Sequence, residues 1–213
     1  VRRRILEPID RVSEVLFGLI MVLTFTGSLS VAEAGREDIK AMLIGALGCN
    51  LAWGVIDGVM YLMGCLAGQG RDRRTWLAVR RAADPGEAQR TIADALPPMV
   101  ASVVRGAELE AMSERLRLLA EPPADLRIGR DEWLGALAVF LLVFLSTFPV
   151  VIPFLFVREE MHALRVSNAI ALTMLYLTGH ALGRITGHRA WVMGLSMVAI
   201  GAVLVAVTIA LGG

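Results

Sequence analysis

Asp57 stands in the middle of LAWGVIDGVMYLMG, residues 51–64, a run otherwise apolar enough to lie in hydrocarbon. On insertion scales a central Asp costs about 2.5–3.5 kcal/mol, whereas each central Leu, Ile, Val or Phe favours insertion by about 0.3–0.6 kcal/mol. The segment therefore inserts despite its carboxylate, provided that the carboxylate faces protein or water, because lipid offers it no partner. Asn50, Gly54, Asp57 and Tyr61 follow the spacing i, i+4, i+7, i+11 and share one helical face. Gly54 with Gly58, and Gly64 with Gly68, form G-x-x-x-G pairs that permit close approach by a neighbouring helix. The residues leave two readings open for Asp57: a station on an ion or proton pathway, or a group capped by a neighbouring helix that holds a bundle in register.

A second acid, Glu14 in RVSEVLFGL, begins another apolar run, with Met21 and Ser28 on its stripe and Glu33 at the far mouth. Met21, Met60 and Met63 offer soft sulfur to a late divalent metal, or simply packing. In STFPVVIPF, Pro149 and Pro153 each remove a backbone donor and kink the helix, which frees carbonyls for water, a cation or a side chain. Such breaks serve transporters at mid-depth and also serve as packing adjustments. His180, His162 and His188 show no paired spacing, so no zinc-type site is readable. No Ser-His-Asp order, phosphate-binding glycine loop, C-x-x-C or H-E-x-x-H occurs, and the chain does not read as an enzyme.

The elements that would position these residues are helices in a membrane. The 213 residues are 56% hydrophobic, and a span needs about 20 apolar residues to cross a hydrocarbon layer of roughly 30 Å. Five segments meet that length, near 13–34, 41–68, 133–157, 166–184 and 191–212. The first begins late, runs long and lacks a small-residue cleavage site, so it reads as a retained span. Seventeen basic residues fall on one side of this topology and four (Arg36, Lys40, Arg158 and Arg165) on the other. Because basic residues are retained in the cytoplasm, the N-terminus is expected inside and the C-terminus outside. Net charge +1 leaves no polybasic surface for nucleic acid. Lys40 is the only lysine, and the dominance of arginine and alanine points to a GC-rich bacterial genome and hence an inner membrane. Cys49 and Cys65 fall about 24 Å apart along one helix, too far to bridge within the chain.

The expected fold is all-α: a polytopic membrane protein with five transmembrane helices and a helical cytoplasmic insert between spans 2 and 3. Residues 1–68 form the start and the first hairpin, joined by EAGREDIK; 69–132 form the insert; 133–213 hold spans 3–5. The insert carries eleven arginines and eleven acids at helical spacing, which makes it a solvated helical cap. Asp84, Pro85 and Glu87 mark a helix start, Pro97 and Pro98 open a helix predicted to run to about Ala120, and Glu121-Pro-Pro closes it.

Two spans, a charged insert of about 60 residues, and three further spans with the proline pair of FPVVIPFLF resemble the vacuolar iron transporter family of divalent metal/proton antiporters. The resemblance implies a homodimer with its pathway between the first and second spans of both subunits, and an insert that collects metal on the cytoplasmic side. It places the family's first-span acid at Glu14 and its second-span glutamate near Asn50, which has lost the charge. The family's second-span methionine falls on Gly58, with Met60 close by. Asp57, two turns from Asn50 on the same face, is the residue expected to replace the missing acid. In the insert, Glu108, Glu110, Glu114 and Glu121 stand where the family gathers metal; Glu110 and Glu114 are i, i+4 neighbours, and Arg115 and Arg117 beside them offer ion pairing instead.

Together these point to a carrier that exports Fe²⁺ or Mn²⁺ from the cytoplasm in exchange for protons. Glu14 and Asp57 would hold the ion and Glu110 and Glu114 would collect it, with Asn50, Met60 and Met21 along the pathway. The expected partners are membrane lipids, protons, a divalent metal and a second copy of the chain. No permanently bound cofactor is expected. The alternative is a membrane scaffold or regulatory protein of the same fold that has lost transport, since the family's glutamate and methionine are missing.

Overall fold

The computed structural model describes residues 6–28, 36–120 and 127–210. Glu33, Glu121 and the Pro122–Pro123 stop lie outside the described residues, and so does most of the first turn. Among the described residues the structure is helical without strands: α1 (Pro8–Ser28), α2 (Arg36–Arg81), α3 (Pro85–Ala95), α4 (Pro98–Ala101), α5 (Gly106–Leu118), α6 (Arg130–Ser146), α7 (Phe148–Phe156), α8 (Glu160–Thr186) and α9 (Ala190–Ala210). Contacts divide the chain into a unit of residues 1–61 with 130–213 and a unit of residues 62–129.

Three helical stretches among the described residues are long and apolar enough to cross a membrane: Ile39–Arg81, Arg130–Phe156 and Ala190–Val207. They match the expected spans two, three and five. α1 and α8 stand where spans one and four were expected. On α1 the charges Asp10, Arg11 and Glu14 account for the difference; on α8 the stretch between Arg165 and Arg184 is uncharged, and Ser167, Asn168 and His180 lower its hydropathy. Both nevertheless supply the core of the first unit. Leu19, Val22 and Leu23 of α1 pack there with Ala46 of α2, Val150 and Val151 of α7, and Ala171 and Leu175 of α8.

α2 passes through the boundary expected at residue 68 without a break. The boundary marks where the composition turns charged, yet an interior glycine such as Gly68 or Gly70 costs only about 1 kcal/mol, and the helix-forming residues of 71–81 carry the helix on. Its 46 residues are about 69 Å long, more than twice the hydrocarbon thickness. In the second unit, α3 starts at Pro85 behind Asp84, as its sequence indicates. The single helix predicted from Pro98 to Ala120 is instead two. α4 closes after one turn, and Ser102 Oγ donates to the Met99 carbonyl at 2.8 Å. α5 then restarts at Gly106, where the Glu108 carboxylate accepts the Arg105 backbone N–H at 2.7 Å. The β-branched Val103 and Val104 before Arg105 resist helix, and the Glu108 cap makes a fresh start favourable. Val79, Ala88 and Ile92 form this unit's buried centre, covered by Leu109, Met112 and Leu116.

The third expected span is broken where its prolines predict. α6 ends at Ser146, Thr147 lies between the helices, and α7 begins with Phe148-Pro149 and carries Pro153 inside it. Pro149 has no N–H to give the carbonyl one turn back. Ser167 of α8 docks on this element, donating its hydroxyl to the Val150 carbonyl at 2.7 Å.

Small residues set the helix spacing. A Cβ added at Gly18 of α1 would lie 2.6 Å from the Val143 carbonyl oxygen of α6 and would also collide with Ser146 Oγ. Gly54 and Gly58 of α2 meet α6 in the same manner, their added Cβ atoms 3.1 Å and 3.2 Å from the carbonyls of Phe140 and Ala136. Further along this seam, the Tyr61 ring of α2 packs directly on Gly135. The G-x-x-x-G pair at Gly54 and Gly58 is therefore filled by α6 of the same chain. Gly64 meets nothing within 4 Å. Asn50 ties the three helices together. Fully buried, it donates through Nδ2 to the Gly18 carbonyl at 3.2 Å and to Thr147 Oγ1 at the α6–α7 break.

Two outcomes test this arrangement. Gly18→Ala should destabilise the detergent-solubilised protein by about 1–3 kcal/mol, the usual cost of overpacking, whereas Gly48→Ala, which meets nothing within 4 Å, should leave the melting temperature unchanged or raise it, since alanine is the better helix former. In a double-mutant cycle, Asn50→Ala and Thr147→Ala should couple by about 0.6–1.7 kcal/mol, the range for hydrogen bonds between membrane helices; strict additivity would mean that the bond contributes nothing.

Candidate functional site

The two acids of the membrane segments come from different helices, and the packing of Gly18, Gly54 and Asn50 brings them to one place. Glu14 lies one turn before Gly18 on α1, and Asp57 lies between Gly54 and Gly58 on α2. Both are half-buried, and the Glu14 carboxylate lies within electrostatic reach of Asp57 first and of Asp10 second. The face shared by Asn50, Gly54, Asp57 and Tyr61 is the protein-facing side of α2. Asn50, Gly54 and Gly58 are buried, while Val55, Val59, Met60 and Met63 on the other side are exposed by half or more. The apolar and polar sides of α2 therefore separate as hydrocarbon demands.

Asn50 is on the expected face, but its amide is committed to Gly18 and Thr147. Its Oδ1, also buried, accepts no hydrogen bond from the protein. Buried polar atoms are nearly always paired by protein or ordered water, so this oxygen is a free acceptor inside the helix junction. Phe17 of α1 and Trp53 of α2 meet edge to face at 5.4 Å between ring centroids and stiffen the α1–α2 contact beside it.

Other expected site residues are not gathered here. Met60 is 60% exposed on the outward side of α2, and Met21 is half-buried along α1. Glu110 and Glu114 lie exposed on α5 in the second unit, where Glu108 serves as a helix cap. His162 pairs through Nδ1 with Glu159 at 2.6 Å, and His188 Nδ1 is 3.1 Å from Thr186 Oγ1. His180 is half-buried with its ring centroid 6.0 Å from that of Tyr176. Cys49 and Cys65 are free thiols, as their separation requires. Among the described residues no three His, Cys, Asp or Glu side chains converge to hold a metal ion. One chain thus offers two carboxylates and an amide oxygen near the α1–α2–α6 junction.

Gly18 and Thr147 are functional neighbours that residue typing passes over. Thr147 had one signal, its position before Phe148-Pro149, where a hydroxyl residue often precedes a helix start. Gly18 had none, because a single glycine in an apolar run reports nothing about what approaches it.

A family model described as the VIT family matches residues 86–213, which covers most of the insert with α3 to α5, the proline-broken α6–α7 segment, α8 and α9. No curated protein matches the chain. The match takes in well over half of the chain, and together with membrane-length apolar helices it gives one conclusion: the chain belongs to the VIT family, that of the vacuolar iron transporters.

Proposed function

We propose that the protein is a homodimeric carrier that moves a divalent cation of the Fe²⁺/Mn²⁺ class out of the cytoplasm in exchange for protons. Family membership supports metal-ion transport across a membrane. The observation that carries the finer reading is the packing of α1 and α2 through Asn50 and Gly18 and through Phe17 and Trp53, which places the half-buried Glu14 and Asp57 on adjacent helices. Two carboxylates in low dielectric hold either protons or a dication, because a metal ligand must first lose its proton. That competition is the coupling. Two acids from one chain are few for a dication, and a two-fold axis would double them to four; the exposed apolar side of α2 is available for a second copy. In this reading α1 and α8 complete five spans in a bacterial inner membrane, with the N-terminus and the insert in the cytoplasm and the C-terminus outside. Glu110 and Glu114, one turn apart on α5, would serve as an exposed collecting pair.

One observation favours the rival reading of a non-transporting scaffold. Asn50, at the place of the family's second-span acid, is engaged in helix packing. Two measurements separate the readings. In proteoliposomes with an imposed proton gradient, Asp57→Asn and Glu14→Gln should each reduce Fe²⁺- or Mn²⁺-dependent flux to background, and wild-type flux in both variants would overturn the assignment. In titration calorimetry, metal binding by the wild-type protein should weaken as pH falls, because protons compete for the same carboxylates; a scaffold would release no heat that depends on Glu14 and Asp57.

A further inference from the structure

A cleft of about 570 Å³ opens between α1 and α6, away from the face that carries Asp57. Its walls include Val15, Ala138, Leu145, Pro149 and Met174, and Arg11 is the one charged residue among them. The volume is that of a small-molecule site. The only hydroxyl in the lining, Ser146 Oγ, already donates to the Val143 carbonyl at 2.7 Å. The interior therefore offers a guest nothing but hydrocarbon contact. Leu141 and Leu145 on the rim are 38% and 52% exposed, so the cleft is open along the side of α6.

The charge sits at one end. Arg11 lies in the second turn of α1 and is exposed; its Nη2 donates to the Leu6 carbonyl at 3.1 Å, which fixes the guanidinium and leaves other N–H donors of the fork to point outward. From Ala138 to Pro149 the floor of the cleft runs eleven residues along α6 and its break, about 16 Å at helical rise. That is about half of a roughly 30 Å hydrocarbon layer, the depth of one leaflet. A fixed cation at the mouth of an apolar channel one leaflet deep is complementary to a phosphate joined to an acyl chain.

We propose that this cleft binds one anionic glycerophospholipid, with an acyl chain lying along α6 from Ala138 to Pro149 and the phosphate held by Arg11. The inference needs the membrane setting of these helices and does not depend on transport. A phosphate and a guanidinium make charge-assisted hydrogen bonds, and anionic lipids enrich the cytoplasmic leaflet, where the N-terminal end of α1 is expected.

Native mass spectrometry of the delipidated full chain in detergent, titrated with dioleoyl phosphatidylglycerol or dioleoyl phosphatidylcholine, tests it. Phosphatidylglycerol should be retained as one copy per chain in preference to phosphatidylcholine. Arg11→Gln should weaken phosphatidylglycerol retention roughly fivefold, the equivalent of one basic residue at an anionic surface, and leave phosphatidylcholine unchanged; Arg11→Lys should keep most of the preference. Ala138→Trp, which fills the channel, should abolish retention of both lipids while the melting temperature stays near that of the wild type. Equal retention of the two lipids by the wild type, an undiminished preference in Arg11→Gln, or a lipid still held by folded Ala138→Trp would each overturn the site. If Ala138→Trp does not fold, the Arg11→Gln comparison decides alone.

Discussion

Hydrocarbon supplies no hydrogen-bond partner, and that constraint organises the first unit. A buried amide such as Asn50 must find its partners on neighbouring helices, and those helices must come close enough to provide them. Gly18 meets both demands at once. Its missing side chain admits the α6 backbone, and its carbonyl receives the Asn50 amide. The second donor contact of Asn50 ends on Thr147, in the one stretch of α6–α7 where the helix is interrupted. Three apolar helices are thus held by a junction whose polar atoms lie inside it. The outer faces present apolar side chains such as Val55, Val59 and Met63.

The acids follow from that junction. Glu14 is one turn from Gly18 and Asp57 is two turns from Asn50, so the same contacts that close α1 and α2 on α6 fix where both carboxylates lie. Asp57 is flanked by the two glycines that touch α6. A larger residue at either position would push α2 outward and carry the carboxylate with it. Placing an acid between two close-approach glycines holds it at a helix seam, where it stays half-buried.

Much of this was legible in the sequence, and the physical reason differs from one feature to the next. The common face of Asn50, Gly54 and Asp57 is a matter of helical period, which is local, and it holds as the buried side of α2. The break near Pro149 is covalent chemistry and appears where the prolines stand. The Asn50–Thr147 contact joins residues 97 positions apart, and no local pattern encodes it. The same limit hid the partner of Gly54 and Gly58, since a G-x-x-x-G pair states that something approaches without saying what. The split between α4 and α5 was missed for another reason. The apolar spacing carries across residues 98–118, but the Glu108 cap and the valines before it decide the local contest. Continuation of α2 past residue 68 is the opposite case, in which a change from apolar to charged composition marked the end of the span but not of the helix.

The family match and the acid pair come from different parts of the chain, since the matched residues begin at 86 and Glu14 and Asp57 precede them. What joins the two is mechanical contact. The matched α6 and α7 supply Phe140 and Ala136 against the α2 glycines, Val143 and Ser146 against Gly18, and Thr147 against Asn50. The helix pair that carries Glu14 and Asp57 thus rests on the segment that identifies the family. The orphan Oδ1 of Asn50 lies inside the same junction. Asp57 stands two turns along α2 on the same face, so the charge and the hydrogen-bonding amide of that face belong to different residues.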